Sequence, residues 1–334
     1  NPVLANKGAY YKNVRKEWYV FFYIIAFQRC QLIEQIFIFI IALRASLVAT
    51  PNTAQYQDAL AFTRSLGDLH LQTYGTYLFL IINSNMYDLR DMDFSKKCRS
   101  KLDCNGVLTL PSFLEDDILN ELVIEAKDAS SGAFYTNSTH NVYLTPININ
   151  LSSDHVFNRQ VTSSKGCICT DQIPAKSKLH HLYHDREFKN FLANVVGEKN
   201  LYPYEDPLSS INVHYASEGQ ELNWHFDNSE FAITLLLQSP FEGGTFEYIK
   251  DFRNAEKNEM NFDGVAELLN GSVKPETLIM EPGTLVLFRG RNSIHRVTPS
   301  IGERDRILVV LAYNSQPGIA LSESARKTFY GRLN

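Results

Sequence analysis

The sequence predicts an α+β protein: a jelly roll with supporting helices and an amino-terminal helical region. Three observations predict it. Short β-rich runs separated by Gly and Pro signals fill the carboxyl-terminal half, a strand followed by a helix start precedes them, and the first hundred residues have a different, apolar and basic texture. Closely spaced strands without alternating helices favour a sandwich or barrel over repeated βαβ units.

The texture changes near Leu102, after Lys96-Lys97-Cys98-Arg99. Val107 to Leu110 reads as a short strand, and Ser112 and Glu115 then have the spacing of a capping box ahead of an apolar periodic run through Ile124. A second helix is predicted from Asp185 to Val196, with Gly197 as its stop. From Leu208 onward the predicted strands are Ile211–Tyr215, Phe231–Gln238, Thr245–Ile249, Thr277–Glu281, Thr284–Arg289, Ile294–Thr298 and Arg306–Tyr313. The stretch Arg253–Lys274, helical in pattern at Val265–Leu269, reads as an insertion between strands. The domain division expected from this is an amino-terminal region at 1–101 and a folded domain at 102–334, with its core at 205–318.

The chain has 334 residues, 44% hydrophobic and 21% charged, with a formal net charge of -5. That length supports a large core, and the composition excludes wholesale disorder and a multi-span membrane protein. An acidic balance offers no basic footprint for a phosphate backbone, so nucleic acid is not expected as a partner. Five scattered cysteines, Cys30, Cys98, Cys104, Cys167 and Cys169, do not form a secreted disulfide framework, and point to a reducing compartment such as the cytoplasm. Cys167 and Cys169 precede His180, His181 and His184; a zinc site and plain surface or core residues are both open there.

The amino-terminal segment stands apart. It begins with Asn1, so the chain is expected to start inside a longer product or a fragment. Six basic residues against Glu17 and Glu34 give the first fifty positions a charge of +4, which leaves -9 for the rest. Apolar runs at Trp18–Phe27 and Ile36–Leu43 are each shorter than the roughly 20 residues that cross a bilayer, and a polar break separates them. Contact of residues 18–48 with a membrane surface is one reading. A helix packed on the main domain, or a non-native stretch, are the others.

The chemistry concentrates in two places. Period-2 alternation puts His225 and Asp227 of Trp224-His225-Phe226-Asp227 on one face, and His295 follows 68 residues after Asp227 on another predicted strand. Two imidazoles and a carboxylate are the set that binds non-haem Fe(II) with positions left open; a satisfied polar group at a strand end is the structural alternative. Arg304 and Arg306 lie two apart before the apolar run Ile307–Leu311. A guanidinium holds a carboxylate bidentately without deprotonating, so one of these arginines is a candidate anchor for a dicarboxylic co-substrate.

The stretch Trp224–Tyr248, with the Gly243-Gly244 turn, and the stretch Met280–Gly318, with Pro282-Gly283-Thr284 and His295, resemble the Fe(II)/2-oxoglutarate-dependent oxygenase superfamily. Within it the likeness is to the branch of free-amino-acid halogenases and their hydroxylase relatives, with a further likeness to prolyl-4-hydroxylases. It is densest over 205–318, extends upstream to about Leu102, and does not reach the first hundred residues. The resemblance implies a double-stranded β-helix, cupin-like core, and an enzyme using Fe(II), 2-oxoglutarate and O2. It makes His225, Asp227 and His295 the metal ligands. It places Arg306 in the register of this branch's 2-oxoglutarate arginine, Arg304 in the prolyl-hydroxylase-like register, and Tyr215 near the co-substrate or, equally, in the core.

Related halogenases carry a small residue where this chain has Asp227, and chloride takes the vacated position; a carboxylate there turns the expectation to hydroxylation of a C-H bond. The implied substrate is a small molecule, a free amino acid or amine. A protein side chain, as in prolyl hydroxylation, and a non-catalytic cupin-like binding module are the alternatives. Contacts are expected from Phe134–Asp171 and from Arg253–Lys274 as a lid, with Asn141-Val142-Tyr143-Leu144, Arg159 and Asn314 as candidates.

Overall fold

Each apolar run of the carboxyl-terminal half becomes a strand in the computed structural model, which describes residue 78 and residues 80–334, all within one compact unit. The expectations for residues 18–48 and for the rest of 1–77 lie outside the described residues. Among the described residues, no helix is long and apolar enough to cross a membrane.

The described chain opens with α1 (Met92–Asn105), β1 (Val107–Leu110) and α2 (Asp116–Ala129). Asp91 caps α1 by accepting from the Asp93 amide, and Gly106 ends it at a φ of 73°, where a residue without Cβ is unstrained. Leu102 sits inside α1 with its side chain fully buried. The expected capping box of α2 is not formed: Glu115 is the N-cap residue, it makes no side-chain cap bond, and Ser112 lies outside the helix at a φ of 49°. The reason is a tertiary competitor. The Glu115 amide, which Ser112 would have to cap, bonds the Ile81 carbonyl, and the Phe113 and Leu114 amides bond the Gly283 carbonyl, so this segment is drawn into a turn.

A long antiparallel hairpin follows, β2 (Phe134–Asn141) and β3 (Gln160–Ile168), then α3 (Lys178–His184) and α4 (Arg186–Val196). The second of these helices matches its predicted span. Asp185 accepts from the Phe188 amide at its start, Gly197 closes it in the left-handed region, and Phe188, Phe191, Leu192 and Val195 are buried. A cap of this kind contributes about 1 kcal/mol.

The remaining strands are β4 (Ile211–Ala216), β5 (Leu222–His225), β6 (Ala232–Gln238), β7 (Glu242–Gly243), β8 (Phe246–Ile249), β9 (Glu276–Leu278), β10 (Leu285–Phe288), β11 (Ile294–Val297), β12 (Ser300–Ile301) and β13 (Arg306–Leu311). Helix α5 (Phe262–Leu269) interrupts them after β8, and α6 (Glu323–Tyr330) closes the chain. They form a seven-stranded sheet in the order β1-β10-β6-β13-β4-β3-β2, a four-stranded sheet β5-β11-β8-β9 and a small pair β12-β7. The architecture is thus mixed α and β with antiparallel pairing.

Alternation divides the large sheet into two chemistries. On one face, Val213 and Tyr215 of β4, Leu235 of β6 and Val309 of β13 join Leu122 of α2 and Phe188 and Phe191 of α4 in the main core. On the other, His214, Thr234, Leu308 and Arg306 line a cavity whose opposite wall includes His225, Phe246 and His295 of the four-stranded sheet. The outer face of that smaller sheet carries Trp224, Phe226 and Ile294, which pack in a second core with Val265 and Leu268 of α5.

Tyr215 ties the main core together. Its hydroxyl donates to the Ala126 carbonyl at 2.6 Å, supplying a partner in the last turn of α2, where carbonyls lack intrahelical donors. Tyr215→Phe is expected to destabilise the protein by about 1–2 kcal/mol through that unsatisfied carbonyl, read as a lower midpoint in urea denaturation.

Candidate metal centre

Strands β5 and β11 pair antiparallel with His225 directly opposite His295, so the two imidazoles start as cross-strand neighbours on the cavity face. Their ring centroids are 4.2 Å apart. Asp227 lies just past the end of β5. Its amide bonds the Gly290 carbonyl and the Phe226 amide bonds the Val142 carbonyl, and these contacts bend the chain so that the carboxylate returns to the same face as His225. Asp227 Oδ1 is 3.8 Å from His225 Nε2 and 3.6 Å from His295 Nε2.

The hydrogen bonds of the rings decide what these atoms can do. His225 Nδ1 faces the Asn223 carbonyl at 2.7 Å and His295 Nδ1 faces the Ser293 carbonyl at 3.1 Å. A carbonyl can only accept, so each Nδ1 carries the proton and each Nε2 presents a lone pair toward Asp227. Burial and the neighbouring His295 hold the His225 imidazole well below its usual pKa, which keeps it neutral. Asp227 Oδ2 is buried without a hydrogen-bond partner. Electron pairs therefore converge with no donor between them, and a cation is the species that resolves this. His225, Asp227 and His295 are also the only His, Cys, Asp or Glu cluster among the described residues with ligand atoms close enough to hold a metal ion.

Gly290 is part of this arrangement although it offers no ligand atom. A Cβ built there would collide with the Asp227 carboxylate. The sequence signal was available, a lone glycine inside Phe288-Arg289-Gly290-Arg291, yet its use depends on a contact across the fold.

The cavity is about 350 Å³, within the range of small-molecule sites. Arg306, first residue of β13, enters it from the large sheet, buried and without an ion pair among the described residues. Desolvation lowers its pKa to about 10, which leaves it cationic at neutral pH. Arg304 does not share the cavity, because β13 begins only at Arg306 and alternation does not reach back to the turn before it. It donates to the Pro240 carbonyl and lies over the Phe241 ring. Tyr215 points to the helix side of β4, into the core, while its neighbour His214 faces the cavity.

The other candidates separate in the same way. Leu144 lines the cavity, whereas Asn141 organises its own turn by accepting from the Tyr143 and Thr145 amides. Arg159 bonds the Leu269 carbonyl and the Asn270 side chain at the end of α5. Asn314 pairs through its backbone with Tyr202. No residue of 253–274 lines the cavity; that insertion covers the outer face of the smaller sheet. Cys167 and Cys169 are buried against Leu208 and Tyr330.

The stretch Phe134–Asp171, expected to supply contacts, does line the cavity through its hairpin, but by residues not singled out from the sequence, and the last helix adds another. Thr136, Ser138 and His140 of β2, Ser163 and Lys165 of β3, and Phe329 of α6 all face inward. The period-2 run Thr136-x-Ser138-x-His140 was visible, but nothing local assigns it a partner.

A family model described as Halogenase D matches residues 91–329. A search of curated protein sequences finds no match. Among solved structures, an oxidoreductase of the 2OG-Fe(II) oxygenase family from Burkholderia pseudomallei is 13% identical, covers 67% of this chain and 92% of its own, and has a TM-score of 0.44. The non-haem alpha-ketoglutarate-dependent epimerase SnoN from nogalamycin biosynthesis is 11% identical, covers 67% and 81%, and scores 0.48. A Pseudomonas putida prolyl-4-hydroxylase is 13% identical, covers 65% and 97%, and scores 0.41.

Because Gly290 leaves room for the carboxylate, Gly290→Ala is expected to displace Asp227 and to weaken divalent metal binding by about 10- to 100-fold, the size of effect seen when an outer partner of a ligand is lost. Titration calorimetry with Mn(II) measures it, and an unchanged far-ultraviolet circular dichroism spectrum shows that the fold survives.

Proposed function

Since this chain belongs to the halogenase D family, we propose that it is an oxidoreductase that uses Fe(II), 2-oxoglutarate and O2 to hydroxylate an unactivated C-H bond of a small molecule. The reading makes residues 102–334 the oxygenase domain, built on a double-stranded β-helix whose two sheets are the seven- and four-stranded ones. His225, Asp227 and His295 are the metal ligands. The observation that carries the reading is the convergence of two Nε2 lone pairs and Asp227 Oδ1 in the cavity, on a carboxylate whose other oxygen is buried without a partner.

The metal with its co-substrate supplies O2 activation coupled to oxidative decarboxylation of 2-oxoglutarate to succinate. The protein's part is binding, orientation and exclusion of water. The two Nδ1-H groups, fixed on backbone carbonyls, lock the tautomer and aim of both imidazoles. Arg306 is a buried cation with no acidic partner, suited to the far carboxylate of a dicarboxylic keto acid. Apolar groups such as Phe246, Phe288 and Val297 line the space near His295 and limit access by water.

Asp227 favours hydroxylation over halogen transfer. In the halogenases this chain resembles, a small residue leaves a coordination position for chloride; here a carboxylate occupies the corresponding place, and Gly290 accommodates it. The family resemblance points to a free amino acid or amine as the substrate class.

With Fe(II) and 2-oxoglutarate the protein is expected to form succinate in an O2-dependent way, to give hydroxylated and no chlorinated product in chloride buffer, and to lose product formation in Asp227→Gly. Arg306→Met is expected to raise the dissociation constant for 2-oxoglutarate by about 10- to 150-fold, the range of a lost charge-assisted hydrogen bond. Full turnover in Asp227→Gly, measured by mass spectrometry of products, would overturn the ligand assignment.

A further inference from the structure

Three of the side chains that line the cavity bear a carboxyl, guanidinium or amino group: Asp227, Arg306 and Lys165. The following argument rests on the oxygenase reading above, which spends the first two. Asp227 is a metal ligand and Arg306 meets one end of the co-substrate. A divalent metal, one carboxylate, two cationic side chains and a dianionic keto acid then leave one positive charge without a partner. That charge is on Lys165.

Lys165 is on β3, two residues from Ser163 on the same face. Ser163 is already engaged: its hydroxyl is 2.7 Å from His140 Nε2 and accepts from the Asn223 amide. The Lys165 ammonium is not. Among the described residues it makes no salt bridge, and its one side-chain hydrogen-bond partner is the His214 imidazole, with Nζ at 3.2 Å from Nδ1 and 3.0 Å from Nε2. A neutral imidazole has one lone pair, so it accepts one of the three N-H groups. The Phe329 ring centroid is 5.9 Å away, a weak cation-π contact. The Cys167 thiol, next on the same face of β3, bonds the Ile168 carbonyl, and Cys169 with His214 pushes its pKa down to about 4; it acts on Lys165 only through its field, with no hydrogen bond between them, and does not line the cavity. Ammonium donors held in a low-dielectric pocket without an anion are costly unless a ligand completes them.

We propose that Lys165 anchors a carboxylate of the substrate, so that the substrate class is a small carboxylic acid, amino acids included, and not an amine lacking a carboxylate. The lining offers an amine no counter-charge, because its one carboxylate, Asp227, faces the metal position. Lys165 is then a specificity-determining residue: it selects for charge and fixes which end of the substrate lies away from the metal.

The test uses the full chain loaded with Mn(II), saturated with 2-oxoglutarate and titrated by calorimetry with matched probes: the proteinogenic L-amino acids and straight-chain carboxylates of three to eight carbons, and for each its carboxamide and the amine lacking the carboxyl group. Carboxylates are expected to bind, with carboxamides and amines at least tenfold weaker. Lys165→Met is expected to weaken the best carboxylate by about 10- to 150-fold, and Lys165→Arg to restore most of the loss. Equal binding of carboxamide or amine, absence of any carboxylate binding, or unaltered carboxylate binding in Lys165→Met would overturn the proposal. So would a Lys165→Met variant that weakens 2-oxoglutarate as much as Arg306→Met does, which would make Lys165 a co-substrate residue. Failure of the oxygenase reading is distinguishable: the wild type would then neither bind 2-oxoglutarate nor form succinate with Fe(II), while carboxylate binding at Lys165 is still read directly.

Discussion

The site depends on the antiparallel register between β5 and β11, which sets His225 opposite His295. A slip of one residue would turn Trp224 or Phe226 into the cavity and send the imidazoles into the apolar layer under α5. The register is held from both sides of the smaller sheet. Trp224, Phe226 and Ile294 are buried in the second core, and the Nδ1-H groups are bonded to carbonyls two residues before each histidine. Packing thus decides which face the rings occupy, and local hydrogen bonds decide which nitrogen they offer. Neither is sufficient alone, since a correctly facing ring of the wrong tautomer would present a proton where a lone pair is required.

The large sheet performs a different task with the same alternation. One face buries Val213, Tyr215, Leu235 and Val309 against the helices, and that burial at about 25 cal/mol per Å² is what stabilises strands carrying Arg306, His214 and Lys165 on the other face. Cationic groups in an enclosed space oppose folding, and the apolar face behind them offsets that cost. The cavity is accordingly asymmetric: the cluster of His225, Asp227 and His295 comes from the smaller sheet and its rim, while Arg306 and Lys165 come from the larger one. On the proposed reading, a dianionic keto acid bound between them would satisfy both walls at once.

How much of this was legible follows from how far each residue's role depends on distant chain. His225 and Asp227 are two apart and His295 lies in an obvious strand, so their pairing could be read from pattern. The branch register of the resemblance already puts Arg306 ahead of Arg304, whereas the fact that only Arg306 faces the cavity depends on where β13 begins. Tyr215 shows the limit from the other direction: its place on β4 was predicted, yet which face it occupies depends on the helices, and its hydroxyl serves the last turn of α2. The Ser112 capping box has the right spacing but loses the Glu115 amide to the Ile81 carbonyl, while the distant Gly283 carbonyl takes the Phe113 and Leu114 amides. Lys165 lies in the stretch Phe134–Asp171 from which contacts are expected, but nothing local singles it out, because the β2-β3 hairpin has no strongly apolar alternation and its inward face exists only after β3 pairs with β4.

The contrast between family and chain then comes down to one pair of positions. The halogenase D family gives the frame, but Asp227 places a carboxylate where the halogenases it resembles hold a small residue, and Gly290 is the position whose missing Cβ makes room for it. The two are coupled sterically: a side chain at 290 and a carboxylate at 227 cannot both occupy that corner. An Asp227 tolerated by accident would sit over a neighbour with a Cβ and be pushed outward, toward solvent and away from the imidazoles. Its Oδ1 instead faces both Nε2 atoms while its Oδ2 is buried without a partner beside Gly290, and a cation at the carboxylate is what would repay that desolvation.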